Sequence, residues 1–352
     1  MAVVVPTLGR PSLGRLLAAL AESTGPRPAR IVLVDDRPPH DPTPLPVAVP
    51  APLRDLVTVV PGRGAGPAAA RNAGWRAAPE PWIAFLDDDV VPGPAWCAAL
   101  LADLALAGDR TAGVQARITV PLPDGRRPTD WERTTAGLAT ARWITADLVY
   151  RRAALESVGG FDERFPRAFR EDADLALRML DRGWRLTMGQ RRTTHPVRPA
   201  GPWVSVRVQA GNADDVLMNR LHGGDWWTRA GAPRGRLPRH LAVTAAGAAA
   251  LLAAAARRPR TAAGCAALWL AGTAEFALTR ILPGPRTADE IGRMVVTSVA
   301  IPPAAVRHWF AGLVAHRRAA PWTGGPAGDA TEGEGGEQVA GRAPFDSVIS
   351  GN

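Results

Sequence analysis

Four short apolar runs, set among helical patterns and turns, most constrain what this chain can fold into. They are "AVVVPT" (2–7), "RIVLVDD" (30–36), "LVTVVPG" (56–62) and "WIAFLDDD" (82–89). Each reads as a strand. Among them lie "SLGRLLAALAES" (12–23), with leucines at helical spacing, and "GPAAARNAGWRAA" (66–78), a helix with a glycine-rich entry. "GPAWCAALLADLALAG" (93–108) supplies another helix. Strands alternating with helices predict an α/β fold: a mostly parallel sheet flanked by helices, Rossmann-like. In such sheets ligands bind beyond the carboxyl ends of the strands. The acidic clusters Asp35–Asp36 and Asp87–Asp89 both fall at such ends.

The pattern continues with strand-like "AGVQARITV" (112–120), "TADLVYRRAALESVGGFDERF" (145–165) and the amphipathic "REDADLALRMLDRGW" (170–184). Leu175, Met179 and Leu180 share one face of that helix and Gly183 ends it. "RLTMG" (185–189) predicts a short strand, followed by "THPVRP".

The chemistry starts with Asp87, Asp88 and Asp89. Like charges about 4 Å apart cost on the order of 4 kcal/mol per pair at an effective dielectric of about 20. A bound Mg²⁺ or Mn²⁺ reverses that sign, and hard oxygen ligands suit those ions. The alternative is a solvated turn leading into a helix N-terminus, where acids are favoured. Asp35 or Asp36 is placed to accept hydrogen bonds from a base or ribose, or is an ordinary turn carboxylate. "GRGAGPAAARNAG" (62–74) offers backbone N–H groups and Arg71 near a helix start, suited to anions. It lacks the Gly-Lys-Ser/Thr ending of a P-loop. Glu171 and Asp172 open a helix, either for reasons of dipole or as a general base. His195 either is structural or completes a metal site. Cys97 and Cys265 are the only cysteines, which excludes a cysteine metal site and argues against a disulfide framework.

In order and spacing, "VVVPTLGRP", "VLVDD", "GPAAARNAGW", "WIAFLDDDVVP", "DLVYRRAALESVGGFDERF", "REDADLALRMLDRGWRL" and "TTHPVRP" resemble the family 2 glycosyltransferases, inverting enzymes of the GT-A fold. The resemblance covers residues 2 to 200. It implies that Thr7 and Asp36, with Asp35 beside them, contact the nucleotide base, and that Arg71 and Asn72 lie near the diphosphate. It places Asp88 near the ribose and makes Asp89 the main ligand of Mn²⁺ or Mg²⁺, with Asp87 and His195 at the same ion. It makes Asp172, with Glu171 beside it, the base that deprotonates an acceptor hydroxyl. The implied partners are a nucleotide-diphosphate sugar donor and a glycan or lipid-linked acceptor. One departure stands out: where the family often follows its second-strand aspartates with Gly-Ser, this chain has "DDRPPHDPTPLP". Further on, Trp203, Arg207, Asn212, Asp214 and His222 belong either to an acceptor-side lid or to a packing helix.

Beyond residue 238 the character changes. "HLAVTAAGAAALLAAAA" (240–256) and "TAAGCAALWLAGTAEFALTRIL" (261–282) are apolar, and "MVVTSVAIPPAAVRHWF" (294–310) is a weaker third stretch. A membrane helix needs about 20 predominantly apolar residues. Flanking arginines, among them Arg234, Arg236, Arg239, Arg257, Arg258 and Arg260, suit anionic lipid. The readings are a membrane hairpin or a soluble helical extension. All 42 basic residues are arginine, spread along a chain of net charge +9, with no block interleaved with aromatics. That favours anionic partners and argues against nucleic acid. "MAVVVPTLGRP" enters a strand at once, without the pattern of a signal peptide. The expectation is therefore a catalytic domain at 1–225, a helical, membrane-associated extension at 226–320 and a disordered Gly-rich acidic tail at 321–352. The expected location is the cytoplasmic side of the plasma membrane, with a soluble cytoplasmic protein as the alternative. Two other functions compete: a nucleotidyltransferase making the sugar nucleotide, and a non-catalytic membrane protein with a degenerate domain.

Overall fold

The computed structural model describes residues 1–38 and 43–324. Most of the expected acidic tail, 325–352, lies outside these residues. The chain runs β1 Ala2–Thr7, α1 Pro11–Glu22, β2 Arg30–Asp35, β3 Val57–Pro61, α2 Pro67–Arg76, β4 Trp82–Leu86, β5 Val91–Pro92 and α3 Trp96–Ala105. It continues through β6 Thr111–Thr119, α4 Asp130–Ala136, β7 Asp147–Arg151, α5 Arg152–Val158, α6 Glu171–Asp181 and β8 Arg185–Thr194. The helical remainder is α7 Val204–Arg207, α8 Gly211–His222, α9 Trp226–Ala230, α10 Leu237–Ala255, α11 Pro259–Ile281 and α12 Ala288–Ala315.

The strands form one sheet in the order β3-β2-β1-β4-β7-β6-β8-β5. Pairings β1–β2, β1–β4, β2–β3 and β6–β8 are parallel. The antiparallel β7 sits between β4 and β6. Alternation along β1 builds two cores. Val3 and Val5 face Leu13, Leu16 and Leu20 of α1 and Trp96 of α3. Ala2 and Val4 face Ala68 and Trp75 of α2, Leu155 of α5, and Leu175 and Met179 of α6. The helices therefore cover both faces, as a parallel sheet requires.

Close packing of α2 fixes what lies at its N-terminus. A Cβ on Gly74 would meet Val4 Cγ1 at 2.3 Å and Val34 Cγ2 at 2.9 Å. Gly74→Ala is therefore expected to lower stability by about 1–3 kcal/mol through overpacking. Chemical denaturation of the two proteins measures it.

Three local expectations need correction. The strand expected at 82–89 ends at Leu86, so the aspartates stand in the turn beyond it. β5, only Val91–Pro92, is an added edge strand. The strand expected at 185–189 is twice as long, reaching Thr194. Its second half buries polar residues, which hide it from an apolar pattern. Fully buried Arg191 donates from Nε to Asp147 Oδ1 at 2.9 Å and from Nη1 to Asp103 Oδ2 at 3.0 Å. Its Nη2 reaches the Val114 carbonyl at 2.6 Å, and Asp147 also accepts from Trp96 Nε1 at 2.6 Å and from Thr193 Oγ1. That satisfied network locks β6, β7, β8 and α3 together, and the extension delivers His195 to the sheet's end.

α10 and α11 are antiparallel neighbours, long and apolar enough to cross a membrane by length and composition, and the most apolar stretch of each is only 11% buried. Buried Arg280 of α11 donates to Thr297 Oγ1 at 2.8 Å, Ser298 Oγ at 3.0 Å and Asp130 Oδ2 at 2.7 Å. Glu290 of α12 accepts from the Asp130 N–H at 2.8 Å. The start of α4 is thus the hub that joins the sheet domain to the C-terminal helices.

Candidate active site

The carboxyl ends of β1, β2 and β4 meet, as the order of the sheet dictates. At the end of β1, buried Thr7 donates from Oγ1 to Asp88 Oδ2 at 2.7 Å, and Arg10 Nη1 holds Asp88 Oδ1 at 3.0 Å. At the end of β2, Asp35 pairs with Arg37 at 2.6 Å and accepts the Gly62 N–H on its backbone carbonyl at 2.8 Å. Asp36 Oδ2 accepts the Gly66 N–H at 3.1 Å, while its buried Oδ1 has no hydrogen bond. Burial raises the Asp36 pKa, against several backbone N–H groups from 63 to 66 that lower it. Only glycine fits at 62 and 66: a Cβ would stand 2.8 Å from Asp35 O at the first and 2.4 Å from Pro166 O at the second. Gly66 also has φ 95°, in the left-handed region.

Beyond β4, Asp87, Asp89 and His195 each offer a ligand atom, all within 4.8 Å of one another. His195 Nε2 stands 3.7 Å from Asp89 Oδ1, and its Nδ1 lies 3.2 Å from the Pro196 carbonyl. With the proton on Nδ1, the Nε2 lone pair faces the aspartates, the arrangement metal-bound histidines use. Burial raises the Asp89 pKa first and neighbouring Asp87 raises it further, while His195 and Arg198 oppose them. Arg198 Nε is 2.8 Å from Asp89 Oδ2, yet that buried oxygen makes no geometrically sound hydrogen bond. A buried, under-coordinated carboxylate oxygen beside a second carboxylate and an imidazole fits a divalent cation, and the O, O, N donor set suits Mn²⁺ or Mg²⁺.

Arg71 joins this cluster to the acids of α6. It is buried, with Nη2 on Asp87 Oδ1 and Nη1 on Glu171 Oε1, both at 2.8 Å. Its bonds are therefore to protein carboxylates. Asn72 is also buried, and its amide donates to Phe161 O at 2.8 Å and Glu163 Oε1 at 2.9 Å while accepting from the Phe161 N–H. It fixes the 161–163 turn and lies apart from the acidic cluster's bonds. α6 starts from Arg170, a non-glycine residue at φ 76°, whose side chain bonds Asp215 at 2.8 Å and stacks on Phe169, Trp226 and Trp227. Such backbone strain persists only where surroundings enforce it, and it gathers at functional sites.

That kink sets the two α6 acids apart. Glu171 is 2% exposed and pinned by Arg71. Asp172 is half-buried, with Oδ1 on the Ala173 N–H at 2.7 Å. Burial raises both pKa values, opposed by Arg71. Asp172 is the partly exposed acid, and Glu171, whose Oε2 also lacks a hydrogen bond, is its buried, Arg71-paired neighbour. A base must be ionised, so the acid limb of kcat/KM is expected above pH 3.8, the ordinary aspartate value. Activity rises with pH through that limb, and a pH–rate profile measures it.

Sequence reasoning missed Arg10 and Arg198, which hold Asp88 and Asp89. Both follow strand ends closely, but among so many arginines their positions carry no separate signal. Of the five residues left open between lid and packing helix, Asp214 pairs with Arg167 at 2.7 Å and His222 with Asp174 at 2.8 Å, both carboxylates buried. Asn212 donates to the Gln209 carbonyl within its own helical segment. Trp203 is 47% exposed, and Arg207 is exposed.

A mostly parallel sheet with helices on both faces and acids gathered at its carboxyl end is the architecture expected of a GT-A glycosyltransferase. Residues 2–158 match the family model Glycosyl transferase family 2, so the chain carries a family 2 glycosyltransferase domain. The pre-mycofactocin glycosyltransferases of Mycobacterium tuberculosis strains CDC 1551 / Oshkosh and ATCC 25618 / H37Rv are 35% identical to it over 135 residues, which is 34% of this chain. The match spans 28% of the length of those relatives. Among solved structures, S. aureus TarS 1-349 in complex with UDP aligns with 87% of this chain and 90% of its own at 14% identity and a TM-score of 0.43. GalNAc-T7 with UDP, GalNAc and Mn2+ aligns with 66% of this chain and 54% of its own at 18% identity and a TM-score of 0.42. The family matched over residues 2–158 is one of glycosyltransferases.

Proposed function

We propose that the chain moves a sugar from a nucleotide-diphosphate donor to an acceptor hydroxyl in one inverting displacement. The observation that carries this reading is the convergence of Asp87, Asp89 and His195, tied through Arg71 to the pair Glu171–Asp172. Asp36, with an unsatisfied buried oxygen beside the 62–66 glycine turn, is the group for the nucleotide base. Thr7 and Arg10 hold Asp88 in position for the ribose. Asp87, Asp89 and His195 would hold Mn²⁺ or Mg²⁺, which when bound supplies positive charge to the leaving diphosphate. Asp172 takes the proton of the acceptor hydroxyl, and its raised pKa makes it the stronger base for that step. Attack on the face opposite the diphosphate inverts the anomeric centre, with no covalent enzyme intermediate. Arg71 keeps Glu171 paired and leaves Asp172 to act.

The exposed apolar sides of α10 and α11 support membrane association, and we assign the sheet domain to the cytoplasmic side. We assign the catalytic domain to 1–225 and the helical extension to 226–320. A panel of UDP-, GDP- and dTDP-sugars, each with Mn²⁺, tests the reading by thermal shift, since ligand binding to the folded state raises its melting temperature. One donor is expected to stabilise the protein only in the presence of the metal. No shift with any donor would count against the proposal.

A further inference from the structure

We propose that Arg170 and Asp215 are positioning residues for the base. Through this pair, α8 holds residue 170 in the left-handed conformation that starts α6 with Glu171 on Arg71 and Asp172 facing outward. The inference rests on the reading of Asp172 as the base. It goes further by giving the helices after the sheet a part in setting that base.

Residue 170 is left-handed at φ 76° although it carries a Cβ, which clashes with the following carbonyl oxygen in that conformation. The side chain does nothing locally to offset this: it sits at the N-cap of α6 and makes no capping bond. What holds it comes from later in the chain. Its Nε donates to Asp215 Oδ1 of α8 at 2.8 Å, with both side chains less than a fifth exposed. Its guanidinium lies 4.3 Å from the ring centre of Phe169, 4.8 Å from that of Trp226 and 4.9 Å from that of Trp227. A charge-assisted bond inside an aromatic box is strong enough to hold a strained residue.

The same helix grips the neighbouring residues. Arg167 makes a forked pair with Asp214, at 2.9 and 2.7 Å. Phe169 lies against Gly211, where a Cβ would stand 2.5 Å from Phe169 Cε1. α8 is backed in turn by α12, since a Cβ on Gly312 would stand 2.8 Å from Ala213 Cα. Positions 167, 169 and 170 are thus fixed by one braced helix.

That grip bears on the base through the backbone. The Arg170 carbonyl accepts the Asp174 N–H at 2.8 Å, the bond that opens α6. The conformation at 170 therefore sets the direction in which the helix leaves, and with it the place of Asp172. Released, residue 170 falls back to right-handed backbone and the first turn swings with it. A reacting group misplaced by about 1 Å costs on the order of 100-fold in rate.

The experiment compares alanine with glycine at position 170 in the full chain. Both remove the ion pair and the stacking. Both also remove the charge that, with Arg71, opposes the burial-raised pKa of Asp172. They differ only in the Cβ, so glycine alone takes up the left-handed conformation without strain. Turnover is read as release of nucleoside diphosphate from UDP-, GDP- and dTDP-sugars with Mn²⁺, with water as the acceptor. Arg170→Ala is expected to lower kcat at least tenfold while donor KM changes less than twofold. Arg170→Gly is expected to turn over at least fivefold faster than Arg170→Ala. Asp215→Ala, which leaves Arg170 without its anchor, is expected to lower kcat at least threefold. Equal kcat for the alanine and glycine variants, a loss carried by KM, or wild-type kcat in Asp215→Ala would overturn the proposal. Hydrogen exchange at the Asp174 amide needs no donor and is expected to be faster in Arg170→Ala than in Arg170→Gly. A helix start that was merely loosened would exchange faster with glycine, and that order would overturn the clamp. A wild type that releases diphosphate from no donor would sink the glycosyl-transfer reading instead, and the exchange rates keep the two failures apart.

Discussion

Asp172→Asn is expected to lower kcat by about 100- to 10,000-fold, the span that a positioned general base contributes, while donor binding is retained. The same change is expected to hold or raise the melting temperature. The sign follows from linkage. Burial lifts the folded-state pKa of Asp172 above its ordinary value, so the ionised form is disfavoured by folding. Stability associated with the group is fully present below its unfolded pKa and lost as pH rises through the folded one. At neutral pH the charge is therefore a net cost, and the neutral amide removes it. Asn keeps an oxygen to accept the Ala173 N–H that Asp172 accepts at 2.7 Å. A fall in turnover with unchanged or improved stability separates a base from a structural residue. Wild-type turnover would refute the assignment. A similar fall for Glu171→Gln alone would be no contradiction, because losing that anion releases Arg71 and rearranges the neighbouring acids.

Arg71→Met is expected to be the most destabilising single change at the site, by about 3–5 kcal/mol when the orphaned charges stay ionised. The side chain is 2% exposed and joins Asp87 to Glu171. Removing it leaves Glu171, itself almost fully buried, without a counter-charge. Glu171 escapes by taking up a proton, which its burial already favours. The loss should therefore be smaller in acid and grow with pH. Urea unfolding of the variant and the wild type at pH 5.5 and pH 8 measures this. A loss independent of pH would indicate that packing, and not charge, was removed.

Much of the sheet domain could be read from the sequence, for identifiable reasons. β1, β2 and β4 are continuous apolar runs, and buried parallel strands have little else to be. The positions of Asp36 and Asp87–Asp89 followed from where those runs end. β8 was cut short because Arg191 and Thr193 are buried polar residues, paired with acids from α3 and β7 that lie 88 and 46 residues away in the chain. No local pattern carries such pairings. Asn72 and Arg71 stand next to each other in a helix with similar claims on the diphosphate, yet one fixes the 161–163 turn and the other bridges two acids. Only the three-dimensional neighbours distinguish them. The docking of α12 on α4 was equally hidden, since Glu290 accepts the Asp130 N–H from 160 residues away in the chain.

The central claim is that the turn after β4, with His195, holds a divalent cation against two phosphoryl groups. Calorimetric titration of UDP and GDP into the wild type and Asp89→Asn, each with Mn²⁺ and with EDTA, tests it most directly. The account predicts binding by the wild type only with the metal, and at least a tenfold loss in the variant. Nucleotide affinity that is the same in EDTA, or the same in Asp89→Asn, would contradict it.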